Sequence, residues 1–269
     1  MVKFPGDYPE KRDYETVIQS KIDLGETSLL LVKYISSKSV NIFIGGPEKW
    51  CVHCEIMNGK SMGYLVKIRY DILCSLKHNF AKGKDTKQII SLLLQYLNDN
   101  YPFVTELNFN DLSTKKCDNK YDVNLAVMTY LYSDKTWYEK NFDAYLAPYS
   151  ISTMNHYIDT YNKAKLIPWD DMKDTISINY TDIEDLYNKS ETWQKFFKTI
   201  YDRLDIADFC NEISPWLDSF ILKYFNNLQG LNYLMPVKNK NIKYKELEYI
   251  KKGGRYTRKN TRKLNIDYK

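Results

Sequence analysis

Short runs of apolar and β-branched residues fill positions 16–70 and predict an antiparallel sheet. The runs SLLLVKYIS and SVNIFIGG flank a short SSK turn, and both are rich in residues that favour strands. The runs WCVHCEIM and GYLVKIRYDIL flank Asn58-Gly59, a dipeptide that strongly favours a tight β-hairpin. Residues 16–70 are therefore predicted to form consecutive antiparallel strands.

The apolar spacing becomes helical in residues 85–98, where isoleucines and leucines recur over a broad face before Pro102. TELNFND follows as a predicted strand, and VNLAVMTYLYSDKTWYEKNF as a long helix interrupted at Ser133-Asp134. The stretch from Gly63 to Leu146 thus predicts the order β–loop–α–β–α, and its first loop is KHNFAKGKDT.

Beyond Pro148 the pattern is helical. We predict helices in residues 151–167 and 181–229, with a new helix starting near Pro215. One face of ETWQKFFKTIYDRL collects the apolar residues Trp193, Phe196, Phe197, Ile200 and Leu204. The predicted fold class is α+β. Its segments are a flexible N-terminus 1–15, an α/β domain 16–147, a helical region 148–235 packed on it, and a basic tail 236–269.

The net charge of +5 on 269 residues is unevenly distributed. Residues 238–263 carry eleven Lys and Arg and two Glu, a net of +9, residues 264–269 are neutral, and residues 1–237 therefore sum to −4. In the stretch 251–263, basic residues alternate with Gly, Tyr, Thr and Asn, and apolar periodicity is absent. We predict a disordered tail that contacts nucleic acid or another polyanion; a solubility tail is the alternative. Its candidate contacts are Lys251, Lys252, Arg255, Arg258, Lys259, Arg262 and Lys263.

No apolar run approaches the roughly 20 residues that a membrane-spanning helix needs, and the N-terminus lacks a signal-peptide core. Five cysteines at irregular spacing argue against a disulfide framework and indicate a reducing intracellular compartment. Cys51-x-x-Cys54 with Cys74 and His78 superficially matches a zinc pattern. Residues three apart on one strand point to opposite faces, so we expect no metal, and a zinc-bound module is a weaker alternative.

Two short segments are candidates for chemistry. The loop before the first helix offers cations and backbone N–H groups to a diphosphate, and the alternative is a plain strand-to-helix turn with a capping Asp. Its candidate residues are Lys82, Gly83, Lys84, Asp85, Thr86 and Lys87. In TWYEKNF, Tyr138 and Glu139 are candidates for general acid and base, and the alternative is a solvated Glu139 on a helix anchored by its aromatic residues.

The β–loop–α–β–α run resembles the core of the GCN5-related N-acetyltransferase (GNAT) superfamily over about residues 64–147. There, a strand feeds a Q/R-x-x-G-x-G/A loop that binds the pyrophosphate of acetyl-CoA, and a later helix ends in a YekxGF-like motif. The resemblance rests on Lys82-Gly83-Lys84, on LNFND and on WYEKNF. It implies an acetyl-CoA site at residues 82–87, with Tyr138 as general acid and Glu139 or Glu106 as base.

The chain departs from the GNAT pattern at two positions of the loop. If Gly83 is the first motif glycine, Phe80 replaces the usual Gln or Arg, and Asp85 replaces the second glycine. A carboxylate beside a diphosphate is unfavourable. A degenerate, noncatalytic relative of the acyltransferases is therefore the alternative within this resemblance.

The strings KTWYEKNF and WQKFF and the Gly-Gly basic tail are also similar to uncharacterised proteins of the large nucleocytoplasmic DNA viruses of protists. This resemblance implies a viral origin and a location in the host cytoplasm, the virus factory or the virion. It implies no known activity. The uneven charge distribution instead supports a second function, that of a noncatalytic virion or replication-associated protein that binds nucleic acid or a partner through its tail.

Overall fold

The computed structural model of the chain describes ten segments. They are residues 14–24, 27–46, 49–69, 84–117, 122–133, 135–150, 168–173, 181–203, 230–252 and 255–260. Among these residues, no helix combines the length and the apolarity that crossing a bilayer requires.

Strands dominate the first hundred residues and the C-terminal segment. The strands are β1 (Thr16–Leu24), β2 (Thr27–Ile35), β3 (Ser39–Gly45), β4 (Trp50–Met57), β5 (Met62–Ile68), β6 (Glu106–Asn110), β7 (Thr114–Lys116), β8 (Asp122–Asn124), β9 (Tyr145–Leu146), β10 (Asn232–Pro236), β11 (Lys245–Lys252) and β12 (Arg255–Asn260). In the described residues the helices are α1 (Lys84–Asn100), α2 (Leu125–Ser133), α3 (Trp137–Phe142), α4 (Trp169–Lys173), α5 (Thr181–Lys189) and α6 (Trp193–Arg203), and Pro148–Ser150 forms a 3₁₀ turn.

The chain forms two compact units. Unit 1 comprises Met1–Phe109 and Pro236–Lys269, and unit 2 comprises Asn110–Met235. This division differs from the predicted segments, because β11 pairs with β1 across more than two hundred residues and so joins the C-terminal segment to the N-terminal sheet.

Unit 1 contains a mixed sheet, which agrees with the predicted α+β class. Its strands follow the order β12-β11-β1-β2-β3-β4-β5-β6. Neighbours from β11 through β5 are antiparallel, whereas β5 and β6 are parallel, with Gly63 opposite Leu107. A parallel pair requires a crossover connection, and α1 lies in that connection. The predicted SSK and Asn58-Gly59 turns are confirmed, and Gly59 has the positive φ of 74° that this turn requires.

Helix α1 packs against β4 of the same unit. Its apolar residues are fully or almost fully buried, as the helical spacing predicts. They are Ile89, Ile90, Leu92, Leu93, Leu94, Tyr96 and Leu97. Gln95 is also buried, and its Oε1 accepts hydrogen bonds from the backbone N–H groups of Lys240 and Ile242. This side chain therefore holds the segment that leads into β11.

The prediction of a disordered tail was wrong for residues 245–252 and 255–260, which form the hairpin β11–β12. Leu247 is buried opposite Lys21 of β1. The carboxylate of Glu246 accepts a hydrogen bond from Ser20 Oγ at 2.6 Å and lies 3.7 Å from Lys33 Nζ. A strand without apolar alternation forms here because β1 and β2 supply polar partners for its polar side chains.

Unit 2 contains the remaining helices and the antiparallel pair β9–β10. The predicted interruption at Ser133-Asp134 is confirmed, since α2 ends at Ser133 and α3 begins at Trp137. Helix α2 packs against α6, where Tyr132 and Tyr201 stack with ring centroids 3.8 Å apart. The predicted apolar face of α6 is buried at Trp193, Phe196, Phe197 and Ile200. Leu204, the predicted helix 151–167 and the Pro215 region lie outside the described residues.

Candidate functional site

Helix α3 of unit 2 starts with a capping box, which uses the carboxylate of Glu139. Thr136 Oγ1 accepts a hydrogen bond from Glu139 N at 3.4 Å, and Glu139 Oε2 accepts one from Thr136 N at 2.7 Å. Reciprocal bonds of this kind satisfy two N–H groups that a helix start otherwise leaves without partners. The candidate base Glu139 therefore has a structural role in this helix.

Tyr138, the candidate general acid, lies on the buried side of α3. Only 7% of its surface is exposed, and its ring packs against Trp137 and Phe142 at centroid distances of 5.0 and 6.4 Å. Burial raises the pKa of Tyr138 well above its ordinary value, and the nearby charge of Asp111 raises it further. The phenol therefore stays protonated at neutral pH.

Asp111 follows β6 and lies in the interior of unit 2, with 1% of its surface exposed. Its backbone bonds to Leu231 and Gly230 fix its position. Its Oδ1 accepts hydrogen bonds from Ser113 N, at 3.1 Å, and from Ser113 Oγ. Its Oδ2 is buried and has no hydrogen-bond partner among the residues that the structure describes. Burial raises the pKa of Asp111, and the bonds from Ser113 oppose that rise.

Tyr233 of β10 completes this group of ionisable side chains in unit 2. It is fully buried. Burial raises its pKa most, the charges of Glu139 and Asp111 raise it further, and an interaction with the Thr136 side chain lowers it. We call Asp111, Tyr138 and Tyr233 the tyrosine–aspartate cluster. Its members come from three separate elements, so the fold rather than the local sequence brings them together.

The candidate cofactor residues lie in unit 1, around the first turn of α1. Lys82 and Gly83 are outside the described residues. Lys84 and Asp85 belong to the helix, but their side chains are not described. The residues that follow are Thr86, which is half-buried, and Lys87, which is exposed. The helix start therefore follows the loop as predicted, and of these side chains Lys87 is the one placed in solvent.

Glu106, the second candidate base, also belongs to unit 1. It opens β6, pairs with Met62 of the parallel strand β5 and is half-buried. Tyr138 and Glu139 belong to unit 2, so the predicted catalytic residues are divided between the two units. Their proposed roles stay predictions.

The candidate nucleic-acid contacts are concentrated in the C-terminal hairpin of unit 1. Lys251 and Lys252 end β11, and Arg255, Arg258 and Lys259 belong to β12. Their backbones are paired in register, with Lys252 opposite Arg255, and their side chains are not described. Arg262 and Lys263 lie outside the described residues.

A second ionisable group that the sequence did not predict is the half-buried His53 on β4. Its ring stacks on Phe43 at a centroid distance of 4.1 Å and lies 5.8 Å from the ring of Trp50. Nε2 lies 2.8 Å from Asn41 Oδ1, an acceptor, so the neutral ring carries its proton on Nε2. Burial lowers the pKa of His53 to about 4, assisted by the charge of Arg69.

Arg69 packs against the same aromatic wall, with its guanidinium 3.9 Å from the Trp50 ring centroid. Contacts of this kind are favourable for Arg over Trp. We call His53, Phe43, Trp50 and Arg69 the histidine cluster. The sequence predicted both strands, and the register that pairs Phe43 with His53 places the two side chains on one face of the sheet.

The described residues contain no group of three or more side chains suited to a metal ion. Cys51 and Cys54 are buried thiols on β4, and burial raises the pKa of Cys54 far above its ordinary value. Cys117 is disulfide-bonded, which the cysteine spacing did not predict. Cys74 and His78, the other members of the superficial zinc pattern, lie outside the described residues.

Comparisons with protein family models, with curated protein sequences and with solved structures gave no match.

Proposed function

We propose that the chain is a GNAT-like acyl-CoA-dependent N-acyltransferase, or a noncatalytic relative that retains the acyl-CoA site. The observation that supports this proposal most is the β5–α1–β6 crossover of unit 1. Consecutive antiparallel strands lead to β5, and the chain returns through α1 to the parallel strand β6. This is the strand–loop–helix–strand order on which the resemblance to the acetyltransferases rests.

The start of α1 suits a diphosphate for physical reasons. The first N–H groups of a helix lack intrahelical partners and form the positive end of its dipole. Helix α1 has 17 residues, and its buried apolar side holds its axis against the sheet. The exposed Lys87 adds a cation at the first turn. We propose that the diphosphate of an acyl-CoA binds at this end, with residues 82–87 around it.

In the catalytic form of the proposal, an amine attacks the thioester carbonyl directly. A bond forms between the amine nitrogen and the carbonyl carbon, and the carbon–sulfur bond then breaks. The amine loses a proton to a base and the leaving thiolate gains one from an acid. Tyr138 is the proposed acid. Glu106 is the preferred base, because the carboxylate of Glu139 is engaged in the capping box.

Calorimetric titration of acetyl-CoA and CoA into the purified full chain tests binding. We expect micromolar affinity for both ligands. Lys87→Glu should weaken it by about tenfold, since it reverses a charge beside the proposed diphosphate. The matched control is Lys60→Glu, which reverses an exposed charge in the β4–β5 turn and should leave affinity unchanged. Gly83→Glu should abolish binding. Absence of heat up to millimolar ligand would contradict the proposal.

Release of free CoA in the presence of a panel of small amines and basic peptides separates the two forms of the proposal. Transfer that Tyr138→Phe lowers by at least tenfold supports catalysis with Tyr138 as acid. Binding without transfer across the panel supports the noncatalytic relative. Unchanged transfer in Tyr138→Phe would contradict the role of Tyr138.

A second candidate function is supported by the C-terminal hairpin. The excess positive charge of the chain lies in residues 238–263, and the hairpin β11–β12, at one edge of the unit 1 sheet, carries six Lys and Arg of that segment against two Glu. We propose that, in this alternative, a noncatalytic virion or replication-associated protein contacts nucleic acid through the hairpin. The viral origin and location stay part of this proposal.

Salt-dependent retention on DNA and RNA tests the second candidate. Changing five of the six basic residues of the hairpin, Lys251, Lys252, Arg255, Arg258 and Lys259, to Gln should reduce both affinity and the slope of its dependence on salt. The matched control changes five exposed lysines outside the hairpin, Lys38, Lys60, Lys67, Lys135 and Lys140, to Gln. Equal losses in both variants would contradict a specific role for the hairpin.

A further inference from the structure

The carboxyl group of Asp111 is buried in unit 2 with only one of its two oxygens hydrogen-bonded among the described residues. Asp111 is 1% exposed, and its two hydrogen bonds both reach Oδ1 from Ser113. Oδ2 is buried and has no partner among the described residues. An ionised carboxylate in such a place loses its hydration without compensation, whereas a neutral carboxylic acid loses much less.

We infer that Asp111 is a buried protonation switch of unit 2. It is uncharged while it is buried in folded unit 2, and its ionisation weakens the folded state of that unit. The inference stands whether or not the chain binds an acyl-CoA.

The groups near Asp111 favour its neutral form because none of those described is a cation that would stabilise the carboxylate. Tyr138 on α3 and Tyr233 on β10 are both close enough for its charge to raise their pKa values. Tyr233 is in turn influenced by Glu139 on α3 and Tyr130 on α2. All of these groups are neutral or anionic. Within the described residues, the influences on the pKa of Asp111 are burial and Ser113, and none is a cation.

The direction of the pH dependence follows from the raised pKa of Asp111. In the unfolded chain an Asp ionises near pH 3.9, so above that pH the unfolded state has released a proton that folded unit 2 still binds. The contribution of Asp111 to stability is therefore fully present below its pKa in the unfolded chain. It is lost as the pH rises through its raised pKa in the folded state. Each pH unit in this window weakens the folding equilibrium by up to about tenfold.

Urea unfolding of the full chain between pH 4.5 and 8.5 tests the switch. Asp111→Asn resembles the neutral acid in shape and does not titrate. It should match the wild type at pH 4.5 and exceed it progressively at higher pH, by up to about tenfold in equilibrium constant per pH unit. The matched control, Asp171→Asn, changes an exposed Asp of unit 2 and should follow the wild type throughout.

An Asp111→Asn variant that is less stable than the wild type at neutral pH, with a gap that widens as the pH rises, would overturn the inference. That result would mean that Asp111 is ionised and paired with a cation. If the variant fails to fold, hydrogen exchange of the wild type decides. Protection of peptides from α2 and α3, corrected for the intrinsic exchange rate, should fall as the pH rises from 4.5 to 8.5, and unchanged or rising protection would overturn the inference.

Discussion

The histidine cluster of unit 1 and the tyrosine–aspartate cluster of unit 2 each bury an ionisable side chain in its neutral form. The two clusters are expected to give stability opposite dependences on pH. His53 is a base, and burial lowers its pKa to about 4. Asp111 is an acid, and burial raises its pKa. In both cases desolvation is the largest influence, and it favours the neutral form.

The difference shows that burial alone does not set the sign of a protein's pH dependence. The chemical type of the buried group sets it. Unit 1 should lose stability in acid, where His53 must take up a proton, and unit 2 should lose it at higher pH, where Asp111 must release one. A chain with both groups is expected to be most stable between these limits.

Removal of the Trp50 ring should reduce stability more than any other change proposed for the two clusters. Trp50 is 5% exposed and covers His53 beside Phe43. Trp50→Ala should destabilise the chain by about 3–5 kcal/mol, which is typical for deletion of a buried aromatic ring. It should also raise the pKa of His53 toward its ordinary value, because water then reaches the imidazole. Chemical unfolding and NMR titration of the imidazole measure the two effects.

Trp50→Phe is the matched control for that experiment. It retains an aromatic ring against Phe43 and should lower the free energy of unfolding distinctly less than the alanine variant does. An unchanged pKa of His53 in Trp50→Ala would show that the ring does not keep water from the histidine.

Replacement of His53 should remove the loss of stability in acid. The unfolded histidine ionises near pH 6.5 and the folded one near 4. Stability of the wild type is therefore complete above about 6.5 and declines as the pH falls toward 4, by about 2 kcal/mol after allowance for solvent at this half-buried site. His53→Gln keeps a polar group near Asn41 without this titration, and urea unfolding at pH 4.5 and 7.5 should show a smaller difference.

Asp111→Asn is the control for the histidine experiment. It should still lose stability at low pH, whereas His53→Gln should not. An identical acid-side slope in His53→Gln and the wild type would assign the loss to other groups.

The capping box of α3 should give the smallest effect. Glu139→Ala removes the bond from Thr136 N and should cost about 1 kcal/mol. Glu139→Gln can still accept that bond and should cost less. Thermal or urea unfolding measures both variants. If acyl transfer is found, loss of transfer in a stable Glu139→Gln would show that Glu139 is a base as well as a cap.

Much of the fold could be predicted from local patterns. The turns at SSK and Asn58-Gly59, helix α1 and the interruption after Ser133 each have a signal within a few residues, such as a hairpin dipeptide or helical spacing. The hairpin β11–β12 could not be predicted in this way. Its polar strand is stabilised by Ser20 and Lys33, which lie more than two hundred residues earlier in the chain.

In the candidate site, too, features that depend on long-range packing could not be predicted from local sequence patterns. Tyr138 and Glu139 were selected from a local motif, and the capping box that engages Glu139 was readable as T-x-x-E. Asp111 carried no such signal, because its significance comes from burial beside Tyr138 and Tyr233. His53 is similar, since its pairing opposite Phe43 depends on the register of β3 and β4. Local sequence shows the residue types, and tertiary packing determines their ionisation.

NMR titration of the full chain, with carbon-13 labels in the Asp carboxyl and His ring carbons, tests the central claim most directly. Asp111→Asn and His53→Gln assign the two resonances. We predict that Asp111 releases its proton above the ordinary value for an Asp, and that His53 takes one up only near pH 4. If both side chains titrate at their ordinary pKa values, or if Asp111 titrates below its ordinary value, the claim that burial keeps them uncharged is contradicted.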